Sequence, residues 1–253
     1  MINQTNTTDK KTNQKITKSV PYPLNLLEHY LKNYIPSEKS FDPNGKWEAK
    51  YKMFTMASGR AGHAGTLIFK RKSLSKKEAF IELTIDKAGV AGYWQKIRAK
   101  LKFKTDLLSS PVKWQYEVKV TTPKGEVLKN TEIKKHAVNY GNKIDFVCHG
   151  KRKEVEISGD VAMNRLLFDA VQRMPAVKNT KAEFTLIDHF DQIKPNNTIY
   201  FHNNIEVNVA NNKKLELCVY NQLGDGILPI AYYVNKSGRL LFVVSGVEAY
   251  ALI

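Results

Sequence analysis

Asp188, His189 and Asp191 fall within four consecutive residues, and His202 follows downstream. Carboxylate and imidazole groups together suit a divalent metal, and a His–Asp pair suits proton transfer. These four residues are the best candidate acid/base or metal cluster in the chain, yet their spacing matches no established ligand motif. Asp and His at a strand exit also read as turn formers. Cys148 and His149 invite a thiolate–imidazole reading. Adjacent strand residues point to opposite faces, so that pair cannot easily touch. Cys148 falls in register with Ile144 and Phe146 and reads as a buried structural thiol, whereas Cys218 falls beside Glu216 on what reads as the wetter side. No CxxC is present to nucleate a zinc site, and two cysteines make no disulfide scaffold. The sequence assigns no catalytic residue and no cofactor.

A second kind of chemistry is electrostatic. Lys96, Arg98, Lys100, Lys102 and Lys104 occupy every second position of one strand-like run. All five share one face, a positive ladder about 27 Å long that fits a phosphate or sulfate backbone. The competing reading is a solvated outer face or a lysine-guarded edge strand. Ser58 to Gly65 is glycine-rich and carries Arg60 and His63. A backbone nest there would hold an anion, but no Gly-Lys-Ser/Thr closes a phosphate loop, and glycines at positive φ in a hairpin connection explain it equally.

The composition frames these candidates. The 253 residues are 42% hydrophobic and 25% charged, ordinary globular values. Mean hydropathy is -0.41, and no apolar run is long enough to span a membrane as a helix. Lys and Arg total 40 against 24 for Asp and Glu, giving a formal charge of +16. That excess points to an anionic partner, although it is mostly lysine, and lysine with asparagine is also what an AT-rich genome produces. Met1 to Val20 is polar and reads as a disordered tail ahead of a single domain over residues 21–253. It has no apolar signal core, which places the protein in the cytoplasm; a different start site or a trimmed chain would make it periplasmic.

The elements that must position these residues are mostly strands. Leu24, Leu27 and Leu31 at helical spacing predict a short N-terminal helix that stops near Pro36. Beyond Asp42-Pro43-Asn44-Gly45 the period becomes two: Trp47, Ala49, Tyr51 and Met53 share one face. The same alternation recurs at Ile81 to Ile85, Ile97 to Phe103 and Trp114 to Val120. One internal helix is predicted near 160–174, with Asp160 as N-cap and Pro175 beyond its end. Strands then return to the C-terminus, with a turn at Lys236-Ser237-Gly238. About a dozen strands make a mainly β protein, a strongly curved antiparallel half-barrel or barrel. Trp47, Tyr51, Trp114, Tyr116 and Tyr232 are the candidate ligand-binding aromatics, and Tyr220, Tyr232, Tyr233 and Tyr250 would rim a ligand mouth.

Trp47 to Arg71 forms a strand, an Ala/Gly-rich turn and a second strand. The C-terminal region reads Gly226-Ile227-Leu228-Pro229, then Tyr232-Tyr233, Gly238-Arg239-Leu240-Leu241 and Ala249-Tyr250. Together these resemble bacterial envelope proteins with the curved antiparallel half-barrel of the lipoprotein-carrier (LolA-like) type. The resemblance implies a sheet wrapped around a helix, an apolar concave face for a lipid-like ligand, and export. It carries over no catalytic residue. The leading expectation is therefore a non-catalytic protein that binds an apolar or amphipathic small molecule. A binder of an anionic polymer (nucleic acid or acidic polysaccharide) acting through the lysine-rich strand stands second, and an enzyme using the Asp/His cluster third.

Overall fold

The computed structural model describes residues 20–37, 40–57, 60–89 and 92–253. The expected polar tail, apart from Val20, lies outside the described residues, as do Ser58 and Gly59 of the glycine-rich segment. Among the described residues, fifteen strands form one sheet. Eight run outward in sequence: β1 (Trp47–Ala57), β2 (Arg60–Ser73), β3 (Glu78–Ala88), β4 (Trp94–Lys104), β5 (Pro111–Thr121), β6 (Ile133–Asn139), β7 (Lys143–Cys148) and β8 (Lys151–Glu156). The chain then restarts at the opposite edge with β9 (Val161–Met163), followed by β10 (Lys181–Asp188), β11 (Gln192–Asn208), β12 (Lys214–Leu223), β13 (Ile230–Asn235), β14 (Leu240–Ser245) and β15 (Glu248–Leu252). Pairing of β15 with β1 joins the two halves. Every neighbouring pair is antiparallel except β9 with β10.

The connection from β8 to β9 dictates the shape. Five peptide steps from Glu156 to Val161 reach at most about 18 Å, whereas fifteen strands laid flat would span about 67 Å. The sheet must therefore curl until its two edges approach. The expected curved, mainly β architecture is what the chain adopts.

Burial follows the period-two pattern in the first half. Ala49, Tyr51, Leu67, Phe69, Ile81, Leu83, Leu101, Phe103 and Trp114 line the inner face, and each is at most 3% exposed. They wrap the short helix α1 (Leu167–Ala170) and its flanking turns, which run from Asn164 to Met174. Phe168 is the hub: its ring meets Tyr51, Phe69, Tyr232 and Tyr250 at centroid distances of 5.5, 5.1, 6.3 and 5.4 Å. A charged network fastens the same helix. Asp169 accepts from Arg71 Nε at 2.6 Å, and from Arg173 and Ser109 at 2.7 Å each.

The helix expected near 160–174 is shorter than its pattern suggested. Val161–Met163 is a strand, because the edge of β10 offers it parallel pairing from Thr185 to Ile187. Tertiary hydrogen bonding overrides local helical spacing here. The N-terminal segment is helical as expected, a 3-10 turn at Leu24–Leu27 continuing into one α turn at Glu28–Leu31. It covers the outer face of the C-terminal half, where Leu24, Leu27, Leu31 and Tyr34 pack on Phe54, Leu217, Val219, Tyr233 and Phe242. Cys218 lies on the wetter side of β12, as its register predicts. It is half-buried against the inner core on the side that also carries exposed Glu216, while Leu217 and Val219 are buried and face the helix. Both cysteines are free thiols. Among the described residues, no helix is long and apolar enough to cross a membrane.

Gly65 explains part of the glycine-rich segment. It sits in β2 opposite a register shift at Met53/Phe54, with φ of 147°. A Cβ there would lie 2.0 Å from the Asp86 carbonyl oxygen, so only glycine allows β3 to approach.

Candidate functional site

The Asp188–Asp191 cluster is the β10–β11 turn. His189 and Phe190 both have positive φ, 47° and 72°, in the three-residue loop between paired Asp188 and Gln192. The tip latches one half of the sheet to the other. Phe190 stacks on Tyr116 at 4.9 Å, and its carbonyl accepts the Trp114 indole N–H at 2.9 Å. Asp191 accepts from the Tyr116 hydroxyl at 2.7 Å and from Lys135 at 2.5 Å. Asp188 faces elsewhere and accepts from Lys194 and Asn164, each at 2.6 Å. His189 Nε2 lies 3.8 Å from Asp188, too far for a hydrogen bond, and burial holds the imidazole pKa down against the Asp188 charge. His202 lies on β11 beside Tyr200. The four residues share no common centre, and no group of three His, Cys, Asp or Glu among the described residues is arranged to hold a metal.

Four of the five candidate aromatics are committed to the fold. Trp47 donates to the Pro43 carbonyl, Tyr51 to Leu240, Trp114 to Phe190 and Tyr116 to Asp191. Tyr232 also hydrogen bonds inward, to Gln222 at 2.8 Å, but its ring lines a cavity at the rim of the half-barrel. Of the tyrosines expected at a mouth, Tyr250 joins it there; Tyr220 bonds the Met174 carbonyl, and Tyr233 faces the outer helix layer.

The positive ladder lies on the outer face of β4, with Lys96, Arg98, Lys100 and Lys104 exposed and Lys102 half-buried. A groove of about 520 Å³ crosses this face over β3 to β6 and includes Arg98, Lys100, Lys134 and His136. Acids interrupt the charge. Glu82 sits across from Lys100, Glu117 across from Arg98, and Lys102 pairs with Glu78 at 3.0 Å. Lys96, Arg98, Lys100 and Lys104 enter no ion pair within 4.0 Å among the described residues.

The rim cavity encloses about 220 Å³. The β9–α1 turn supplies Asn164 and Arg165, the β10–β11 turn Asp188 and His189, the β12–β13 loop Gly226 to Leu228, and the β14–β15 turn Val247 and Glu248. Phe168, Leu186, Ile230, Tyr232 and Val243 make an apolar floor. Arg165 is only 6% exposed. Its guanidinium donates to the Tyr250 hydroxyl at 3.0 Å and lies 5.4 Å from that ring's centroid. The Tyr250 hydroxyl in turn donates to Glu248. Burial pushes the Tyr250 pKa up to about 12, so the hydroxyl keeps its proton. Burial works against the Arg165 charge, but Tyr250, Glu248 and Asp188 outweigh it and its pKa is raised. A fixed cation over an apolar floor can orient an amphipathic molecule. Arg165, Phe168, Lys194 and Glu248 were not candidates from the sequence, because only long-range pairing assembles them.

A curled, barrel-like antiparallel sheet with a small pocket at one rim is the class of protein these features define. Among solved structures, the chain is similar to a β-barrel-like protein of the domain of unknown function DUF1849 from Brucella abortus. The TM-score is 0.54 at 10% identity, over 83% of this chain and 96% of that one. A DUF1089 family protein from Pseudomonas aeruginosa matches with a TM-score of 0.39 at 10% identity, over 82% of this chain and 94% of that one. At such identity the first likeness shows the barrel-like fold alone; the carrier resemblance drawn from turn and packing residues is not shown by it. No protein-family model and no curated protein matches the sequence.

Proposed function

We propose that this half-barrel is a non-catalytic binding protein that takes a small apolar or amphipathic ligand at its rim. The observation that carries the reading is the apolar floor of Phe168, Leu186, Ile230, Tyr232 and Val243 beneath a polar mouth. Most ligand sites combine apolar walls with a few placed polar groups in this way. The lipoprotein-carrier resemblance implies a ligand along the whole concave face, but α1 and the inward aromatics occupy that space. The rim offers about 220 Å³ and opens to solvent at its mouth, which favours a single short chain over a long-chain lipid. Calorimetric titration with octanol tests this. Saturable binding is expected in the wild type, and Ile230→Trp, at a half-buried wall of the cavity, is expected to abolish it while circular dichroism stays unchanged. No saturable binding in the wild type, or the same binding in the variant, overturns the reading.

A second reading, a phosphate-polymer binder, rests on the four outer cations without ion-pair partners among the described residues. Reversing Lys96, Arg98, Lys100 and Lys104 to Glu is expected to lower the slope of log affinity against log salt by about four on a polyphosphate resin. Retention that does not change counts decisively against it.

A further inference from the structure

We infer that the rim cavity recognises a carboxylate, and that Arg165 anchors it: the ligand is a monoanionic amphiphile with its headgroup on the guanidinium and its chain on the apolar floor. This rests on the binding reading above and names the ligand's chemistry.

The argument begins with an unfinished charge. A buried guanidinium without a counter-ion is costly, and buried charges in proteins are normally paired. Arg165 is 6% exposed, yet no carboxylate lies within 4.0 Å of it among the described residues. Among the described residues its five N–H donors find one hydrogen-bond acceptor, the Tyr250 hydroxyl. The other buried arginines are spent differently. Arg71 and Arg173 each bond a carboxylate and backbone carbonyls. Each still has a nitrogen sealed from solvent without a partner, Arg71 Nη2 and Arg173 Nε. No nitrogen of Arg165 is in that sealed state, so those not bonded to protein open on the cavity.

The neighbouring charges set the ligand's charge. Asp188 is closed by Lys194, Asn164 and the His189 backbone N–H. Glu248 reaches Arg165 only through the Tyr250 hydroxyl, which donates to one and accepts from the other. Arg165 therefore has no carboxylate in direct contact, because the Tyr250 hydroxyl stands between it and Glu248. A dianion such as a phosphate monoester would also meet the nearby Asp188 and Glu248 charges, so a single carboxylate fits better. The planar fork of arginine matches a carboxylate with two parallel hydrogen bonds. The apolar floor begins beside it at Phe168, three residues along the chain and in the same cavity.

The test compares octanoate, octanol and octyl phosphate by calorimetry on the full-length wild type, Arg165→Gln and Arg165→Lys. Octanoate is expected to bind the wild type about tenfold to a hundredfold more tightly than octanol, the range for hydrogen bonds to a charged group. Arg165→Gln is expected to erase that preference and leave octanol unchanged. Arg165→Lys is expected to keep part of it. Arg165→Gln keeps an amide donor for the Tyr250 hydroxyl, and thermal denaturation checks that each variant is folded at the titration temperature. Equal binding of octanoate and octanol to the wild type overturns the carboxylate inference and leaves the apolar site standing. A preference that survives in Arg165→Gln overturns Arg165 as the anchor, and tighter octyl phosphate binding overturns the monoanion. Absence of binding by all three overturns the site itself and the inference with it.

Discussion

Alanine at Asp169 is expected to destabilise the fold by about 3–5 kcal/mol, because it strands two buried guanidinium groups. The Asp169 side chain is 0% exposed, as is that of Arg71, and the Arg173 side chain is 10% exposed. One carboxylate therefore serves two cations inside the curl of the sheet. Arg71 reaches it from β2 while donating to the Asn44 and Gly45 carbonyls, both at 2.6 Å. Arg173 reaches it from the end of the helical segment while holding the Thr105 and Asp106 carbonyls at 3.0 Å. The network ties the β1 entry, the β4–β5 loop and α1 to one point. It has no slack, since Arg71 Nη2 and Arg173 Nε already lack partners. A chain of this size loses about 2–4 °C of Tm per kcal/mol, so a drop of about 6–20 °C is expected in thermal denaturation followed by circular dichroism. Asp169→Asn keeps the shape but not the charge and is expected to fall in the same range. Replacing the whole triad by Arg71→Met, Asp169→Leu and Arg173→Met is expected to recover much of the loss, because no uncompensated charge then remains. An Asp169→Ala protein melting within about 2 °C of the wild type would show that the network is incidental to stability.

The segment that carries Asp169 and Arg173 marks where the sequence stops being legible. Arg165, Asp169 and Arg173 recur every four residues, which on a helix reads as one wet face. Arg165 and Asp169 are buried and Arg173 is nearly so, and only three-dimensional pairing shows why: Asp169 meets Arg71 98 residues earlier, and Arg165 meets Tyr250 85 residues later. The strands of the first half were far more transparent. Trp47, Ala49, Tyr51 and Met53 are buried while Glu48 and Lys50 are exposed, because water covers the outer face there and imposes a clean alternation. That signal fades in the second half, where the N-terminal helix dries the outer face. Leu240 to Val244 is buried at every position, and no period survives to separate the two sides. At the site, Tyr232 and the Asp188-His189 turn were visible as residue types in turn-rich surroundings. Their roles were not, since a turn that latches Phe190 onto Tyr116 and a turn that binds metal draw on the same residues.

Phe168→Ala joins stability to function and is expected to lower stability by about 3–5 kcal/mol, the usual range for truncating a buried aromatic. The ring is 3% exposed and touches Tyr51, Phe69, Tyr232 and Tyr250, so four aromatic neighbours lose a partner at once. These neighbours belong to strands in both halves of the sheet, which limits how far the site can collapse. The loss therefore leaves a void instead of a repacked core, and voids lined by apolar atoms stay dry and accept apolar guests. Phe168 is also floor to the rim cavity, so the void opens into it. The variant is expected to bind longer chains than the wild type, with decanol or dodecanol replacing octanol as the tightest alcohol in a calorimetric series. A saturating long-chain alcohol is then expected to return part of the lost Tm, since a ligand that binds only the folded state stabilises it by mass action. The two readouts separate the ring's two roles. A lower Tm with an unchanged chain-length preference would leave Phe168 as core packing alone and place the ligand elsewhere on the rim. A shifted preference ties the hub of the hydrophobic core to the depth of the binding site, so one side chain sets both how firmly the sheet closes and how long a ligand it admits.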